Sequence, residues 1–174
     1  MTGKPGRPRT LTVDQIVQAA LDVGLTHLSM PSVARRVGVA HSALYRYVEN
    51  REGLLVAAVD HALSSVDWPA ADEPWDPLLR RVAGVVRSTC HDVDGLAAAT
   101  LGSAPAIAAW ESRLAPYASA LTEQGFDAQD ADAVVGMVLR CTLIGSAEPA
   151  DRADVRMHDA HLSIVLAGAA NLQR

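Results

Sequence analysis

The sequence predicts an all-α chain of roughly nine helices, with a three-helix head and a larger helical bundle behind it. Three observations predict this. Apolar residues recur three and four positions apart, and no stretch alternates convincingly with period two. Helix starts and stops are marked: Thr12, Ser29 and Asn50 are capping residues, while Gly24 and Gly38 are stops. Strand formers are present, but Ala, Leu and Arg dominate their surroundings. With 174 residues, 49% of them hydrophobic, the chain suits one compact unit or a small domain fused to a medium one.

The elements follow in order. Residues 1–10, MTGKPGRPRT, hold three basic residues, two prolines and two glycines, a segment that cannot bury enough surface to fold alone. The first helix starts at Thr12, whose partner three residues on is Gln15, a capping-box pattern. Ile16, Ala19, Ala20 and Val23 share its apolar face, and Gly24 stops it. Ser29 caps a second helix with Pro31 in its first turn, where a missing N–H costs nothing, and Gly38 ends it. A third is expected from about His41 to Val48, and Asn50 caps a fourth that runs to about Val66. Residues 67–77, DWPAADEPWDP, have three prolines and four acids and are read as a linker. Further helices are expected near 76–90, 94–102, 105–124, 128–146 and 156–171. The domain expectation is a flexible arm over 1–10, a head over 11–53 and a helical body over 54–174. The fourth helix touches both.

Net charge is −5, yet the distribution is uneven. Residues 1–53 carry seven basic and four acidic side chains, net +3, which leaves eight minus sixteen, net −8, for the remainder. A basic head on an acidic body is the asymmetry of a nucleic-acid reader. The stretch ARRVGVAHSALYRYVENREGLL, residues 34 to 55, explains it. With Met30 as the first position of a helix-turn-helix, Val33 and Val37 face inward and Ala34 falls where the two helices cross. Gly38 falls at the turn, where a left-handed backbone is needed. Val39 plugs the corner, and Leu44 with Tyr47 or Val48 holds the second helix to the core. His41, Ser42, Tyr45 and Arg46 are left on the outer face, facing phosphates and base edges. Arg7 and Arg9 in the basic arm are placed to reach an adjacent minor groove.

The stretch GLTHLSMPSVARRVGVAHSALYRYVENREGLL resembles the DNA-binding domain of the TetR family of transcriptional regulators. The resemblance rests on Leu44-Tyr45-Arg46-Tyr47 in the recognition helix and Asn50-Arg51-Glu52 at the start of the fourth helix, and it covers residues 10–60. It implies that Tyr45 contacts a phosphate or a thymine methyl, that His41 and Ser42 face bases, and that Arg46 reaches a phosphate or base edge. It implies phosphate contacts for Arg51 and, from the opposite row, for Ser29 and Ser32. Two positions depart from the family pattern: Pro31 stands where a basic residue is frequent, and Ala40 where a capping residue is usual.

In the body, residues 128–146 are apolar nearly all round, and the last helix is mostly apolar. Two such helices exceed what one small core needs. The expectation is a homodimer in which both pack on their symmetry mates in a four-helix bundle, with Gly136, Gly145, Ala167, Gly168 and Ala169 permitting close approach. The family resemblance implies the same dimer on a palindromic operator, and an effector pocket in the body. The candidates for that pocket are Trp75, Arg87, Trp110, Tyr117, Met137, Arg140 and Cys141, large or polar groups on Ala-rich helices. A charge such as Arg140 in so apolar a helix needs an acid from another helix or an anionic ligand.

Other function classes find less support. Two His-Asp pairs, His91-Asp92 and His158-Asp159, are the material for a metal-dependent helical hydrolase, but no nucleotide loop, nucleophile elbow or HExxH pattern accompanies them. A helical interaction protein without DNA binding would not need Tyr45, the basic face or the arm. Cys90 and Cys141 lack metal spacing, and neither a signal peptide nor a membrane span is read. The expectation is a cytoplasmic, non-enzymatic transcriptional regulator with no cofactor or metal. It represses as a homodimer on double-stranded DNA and is released by a small-molecule effector.

Overall fold

The computed structural model describes residues 11–147 and 155–173. All regular structure among them is helical. The head holds α1 (Val13–Val23), α2 (Met30–Val37) and α3 (His41–Leu44). Next come α4 (Arg51–Ser64), α5 (Trp75–Asp92), α6 (Leu96–Leu101), α7 (Ala104–Glu123), α8 (Ala128–Ala147) and α9 (Val155–Ala169).

The caps sit where the residue types place them. Thr12 and Gln15 form a reciprocal capping box on α1, Ser29 and Ser32 form one on α2, and the Asn50 side chain accepts from Gly53 N–H at 2.8 Å. Two local features differ from the sequence expectation. Leu25–His27 forms a 3-10 turn between α1 and α2, and α3 has one regular turn rather than two. The chain still winds beyond α3, because Tyr47 and Val48 both donate to the Leu44 carbonyl, at 2.8 and 3.0 Å. The extended backbone that Asn50 needs to cap α4 stops the winding there.

The core is continuous from head to body. Ile16, Ala20, Val33, Leu44 and Leu54 close the head, and α4 packs on α1 at one side and on α7 at the other. In the body α8 is central, with α5, α6, α7 and α9 packed around it. Fully buried leucines, among them Leu78, Leu114, Leu139 and Leu143, fill that centre. Truncating one of them to alanine removes transfer free energy and leaves a cavity, a loss of about 2–5 kcal/mol.

The segment expected as a linker is pinned to the body. Trp68 meets the buried Trp110 ring edge to face at 6.3 Å, and the Tyr117 hydroxyl donates to the Pro69 carbonyl at 2.8 Å. Gln124 closes the other end: its amide donates to the Glu73 carbonyl at 3.0 Å and accepts from the Trp75 N–H at 2.8 Å. Composition could not show this, because the anchors lie some fifty residues away in sequence.

The α8 and α9 faces keep apolar residues uncovered in the single chain. Within one chain Met137 and Ile144 on α8, and Ile164 on α9, stand 53%, 58% and 69% exposed. Ala167 and Gly168 are exposed, while Ala169 is buried in the chain's own core and so is unavailable for a partner helix.

Candidate nucleic-acid interface

The bend between α2 and α3 is built from few residues. Gly38 adopts the left-handed conformation at φ 76° and ψ 33°, and Val39 N–H donates back to the Ala34 carbonyl at 3.0 Å. Ala34 is buried at the crossing, where a longer side chain would force the helices apart. Leu44 is fully buried and fixes the roll of α3. His41, Ser42, Tyr45 and Arg46 consequently all face outward.

Tyr45 is 53% exposed, with its ring edge to face against His41 at 6.3 Å. The Arg46 guanidinium carbon lies 5.9 Å from the Tyr47 ring centroid, which orients the charge without burying it. Ala40 supplies no side-chain cap to α3. The first N–H groups of α3 are thus left without a side-chain partner on the exposed side of the head.

Other residues named from the sequence have more structural duties. Ser29 and Ser32 hydroxyls are engaged with each other, and Ser32 also donates to backbone carbonyls at 2.8 and 3.2 Å. Pro31 lies in the first turn of α2 and is exposed. Arg51 donates through Nε to the Leu28 carbonyl at 2.9 Å, so it braces α4 against the segment before α2. Arg7 and Arg9 lie outside the described residues.

The basic pair Arg35-Arg36 is not among the DNA contacts expected from the sequence, and the structure splits it. Arg36 pairs with Asp22 of α1 at 2.6 Å. A hydrogen bond from the Gln18 amide, reinforced by Arg36, holds the Asp22 carboxyl below its ordinary value. Arg35 is exposed and has no hydrogen bond or ion pair among the described residues. Only the three-dimensional position of Asp22 distinguishes the two arginines.

The effector candidates are spread over α5, α7 and α8. Trp110 is buried and donates to Thr100 Oγ1 at 3.2 Å, and Tyr117 joins it under the 67–74 segment. Burial pushes the Tyr117 hydroxyl pKa up, partly offset by Arg81. Trp75 stacks edge to face on Phe126 at 5.3 Å and donates to Gln173 at 3.0 Å. Met137 and Arg140 lie on the outer face of α8, where Arg140 bonds Glu111 of α7 at 2.8 Å. Arg87 faces Asp159 of α9 at 3.5 Å. Cys141 is half-buried, and Cys90 is buried with its thiol pushed up to about 12 by desolvation. Each of the two arginines thus meets an acid from another helix.

The two His-Asp pairs do not form a centre. His91 and Asp92 are exposed at the end of α5, Asp159 is turned to Arg87, and the His158 side chain lies outside the described residues. Among the described residues no group of three or more His, Cys, Asp or Glu side chains is placed to hold a metal. Among them, too, no helix is long and apolar enough to cross a membrane.

Comparison with known proteins agrees with this geometry. Bacterial regulatory proteins of the TetR family match residues 13–58, the span from α1 into α4. The HTH-type transcriptional repressor DrrR1 of Streptomyces coeruleorubidus is 36% identical over 84 residues, which cover 45% of this chain and 31% of that protein. The chain therefore spans about a third of the curated relative it matches. Over nearly the whole chain the fold resembles the Streptomyces coelicolor TetR family protein ActR in complex with (S)-DNPA. Its TM-score is 0.76 and its identity 21%, covering 94% of this chain and 99% of that one. It also resembles BioQ with its double-stranded DNA operator, with a TM-score of 0.79 and 23% identity, covering 92% and 99%. Residues 13–58 thus match the TetR family of bacterial regulatory proteins, and the fold over nearly the whole chain is that of the TetR-family structures compared.

Proposed function

We propose that the chain is a repressor-type transcriptional regulator that binds a palindromic operator as a homodimer and is released by a small molecule. The observation that carries this reading is the outward set His41, Ser42, Tyr45 and Arg46, held by the buried Leu44 on a short helix after a left-handed glycine. These side chains supply hydrogen-bond donors and one charge, the groups that read base edges and phosphates. Arg35, and Arg7 and Arg9 in the arm, supply further phosphate contacts.

The dimer reading is supported by the exposed apolar residues Met137, Ile144 and Ile164 on neighbouring helices. Burying such a patch against its own copy gives a two-fold axis and two recognition helices about one DNA turn apart, ~34–36 Å. A small molecule in the body releases DNA only if it binds the operator-incompetent arrangement more tightly than the competent one. Relatives of this fold have been crystallised with small molecules and with DNA, in ActR and BioQ respectively.

Fluorescence anisotropy tests the reading, with labelled DNA from the region flanking the gene, excess nonspecific competitor and a salt series. Competitor-resistant binding that Tyr45→Ala and Arg46→Ala both abolish is the expected result. Absence of binding at low salt, on that DNA and on pooled genomic DNA, would overturn it.

A further inference from the structure

A cleft of about 450 Å³ opens between the head and the body, lined by α1, α4, the chain just after α4, and α5. It is not the body interior where Trp110 and Tyr117 lie. Its half-buried apolar lining is Leu21 from α1, Val66 after α4 and Val85 from α5, interspersed with Gln18, Ser88 and Thr89. Its rim is polar, with His61, Asp67 and Asp92. Neither carboxylate has an ion pair or hydrogen bond among the described residues. The arginines nearest in sequence are committed elsewhere: Arg80 to Asp76, Arg81 to Glu73 and Arg87 to Asp159.

We propose that this cleft binds a small amphipathic cation, an amine carrying a flat or branched apolar group. The apolar body would cover Leu21, Val66 and Val85, and the ammonium would sit between Asp67 and Asp92. Uncompensated carboxylates beside apolar surface favour a cation over a neutral or anionic molecule of the same shape, because only the cation gains Coulomb energy. The cleft's walls belong to different domains, so its filling bears on their relative placement. Asp92 is two residues before Asp94, whose carbonyl accepts from Leu25 of the head at 2.8 Å. Leu21 is on the same head segment, four residues before Leu25. A molecule wedged between Leu21 and Asp92 therefore acts across that hydrogen bond, and its occupancy shifts DNA affinity. The regulatory half of this inference rests on the DNA-binding reading above; the binding half does not.

Isothermal titration of the full-length protein with tryptamine tests the binding half, with tryptophol and indole-3-propionate as neutral and anionic shape controls. Tryptamine is expected to bind, tryptophol at least about tenfold more weakly, and indole-3-propionate not at all. The Asp67→Asn/Asp92→Asn double variant, which leaves the apolar lining intact, is expected to weaken tryptamine about tenfold. No binding of tryptamine at millimolar concentration, equal binding of tryptophol, or no effect of the double variant would each overturn the site. DNA anisotropy with and without tryptamine then tests regulation. A shift in DNA affinity that the double variant removes supports it, and unchanged DNA affinity at saturating tryptamine overturns it. A protein that binds tryptamine through the two aspartates but no DNA would sink the regulator reading and leave the cleft standing.

Discussion

Leu25 donates its backbone N–H to the carbonyl of Asp94 at 2.8 Å, which ties the turn after α1 to the turn before α6. Two glycines interlock there. Gly24 and Gly95 both take positive φ, at 82° and 73°. A side chain on Gly95 would overlap the Thr26 backbone nitrogen and lie 3.0 Å from its Cα. A second bond joins head to body where the Ser103 hydroxyl, the cap of α7, donates to Glu52 of α4 at 3.1 Å. One link is backbone to backbone and the other runs from the buried Ser103 hydroxyl to the exposed Glu52 carboxylate, so head and body meet through two short hydrogen bonds.

Replacing Gly95 by alanine is expected to be costly at this joint. The left-handed backbone and the overlap with Thr26 backbone together predict a loss of about 2–4 kcal/mol. For a chain of this size that lowers the thermal midpoint by roughly 5–15 °C. Gly84 is the control, since it lies inside α5 with open space where its Cβ would go. Gly84→Ala is expected to raise stability by about 0.5–1 kcal/mol. Calorimetry on both variants decides it, and equal midpoints would remove the joint from the account.

Arg46 and Arg51 are both basic and both near the recognition helix, yet they are expected to behave differently. The Arg46 guanidinium lies by the Tyr47 ring and has no hydrogen bond or ion pair among the described residues, so Arg46→Ala should leave the unfolding midpoint nearly unchanged while weakening DNA binding by about 1–3 kcal/mol. If its contact is a phosphate, the slope of log affinity against log salt falls by about two per dimer. Arg51→Ala also removes the bond to the Leu28 carbonyl, so it should lower stability by about 1 kcal/mol besides any effect on DNA. Parallel anisotropy and thermal melts on the two variants separate these outcomes.

The head was legible in the sequence because its determinants are local. Thr12, Ser29, Asn50 and Gly38 act on backbone groups three to five residues away, and Ala34 and Leu44 are set by one helical crossing. The Leu25–His27 turn was not legible, since it depends on Asp94, some seventy residues on. The same holds for the pinned 67–74 segment, which composition alone presents as a linker. Arg35 and Arg36 look alike in the sequence; only Asp22, fourteen residues before Arg36, separates a paired charge from an unpaired one. In the body, Arg140 and Arg87 each call for an acid from another helix or an anionic ligand; the acid is what they meet, and only the packing of α7 and α9 shows that it is Glu111 and Asp159.

Cys90 gives a prediction about pH. Its thiol is pushed up to about 12 in the folded chain from an ordinary 9.0, so the folded state holds the proton that the unfolded state gives up. Stability from this group is therefore whole below about pH 9 and is lost as pH rises from there towards 12, at up to ~1.4 kcal/mol per pH unit. Tyr117, also raised, adds a loss in the same direction above its ordinary value of 10.0. Urea midpoints measured across about pH 8–10.5 should fall more steeply in the parent than in Cys90→Ala, whatever their absolute difference. Identical slopes would show that the thiol ionises in the folded chain as readily as in the unfolded one.

The exposed face of α8 and α9 carries the last prediction. Ile164 is 69% exposed and Ile144 58% exposed within one chain, and leaving them in water forfeits roughly 1.5–3 kcal/mol per side chain. If the two faces meet across a two-fold axis, each substitution acts twice per dimer. Ile164→Glu would then place two carboxylates in an apolar contact without partners, at a cost of several kcal/mol. Sedimentation velocity at micromolar concentration should show a dimer for the parent chain and a monomer for Ile164→Glu. The variant's melting profile should show a folded head and body, since Ile164 is not part of the chain's own core. Val13 is also an exposed apolar residue, at 44%, but it lies on α1 in the head, and Val13→Glu should remain dimeric. Loss of operator binding in Ile164→Glu, with nonspecific binding at low salt retained, follows from losing the second half-site contact. A parent chain that sediments as a monomer would overturn the dimer, and an Ile164→Glu variant that stays dimeric would place the two-fold contact elsewhere.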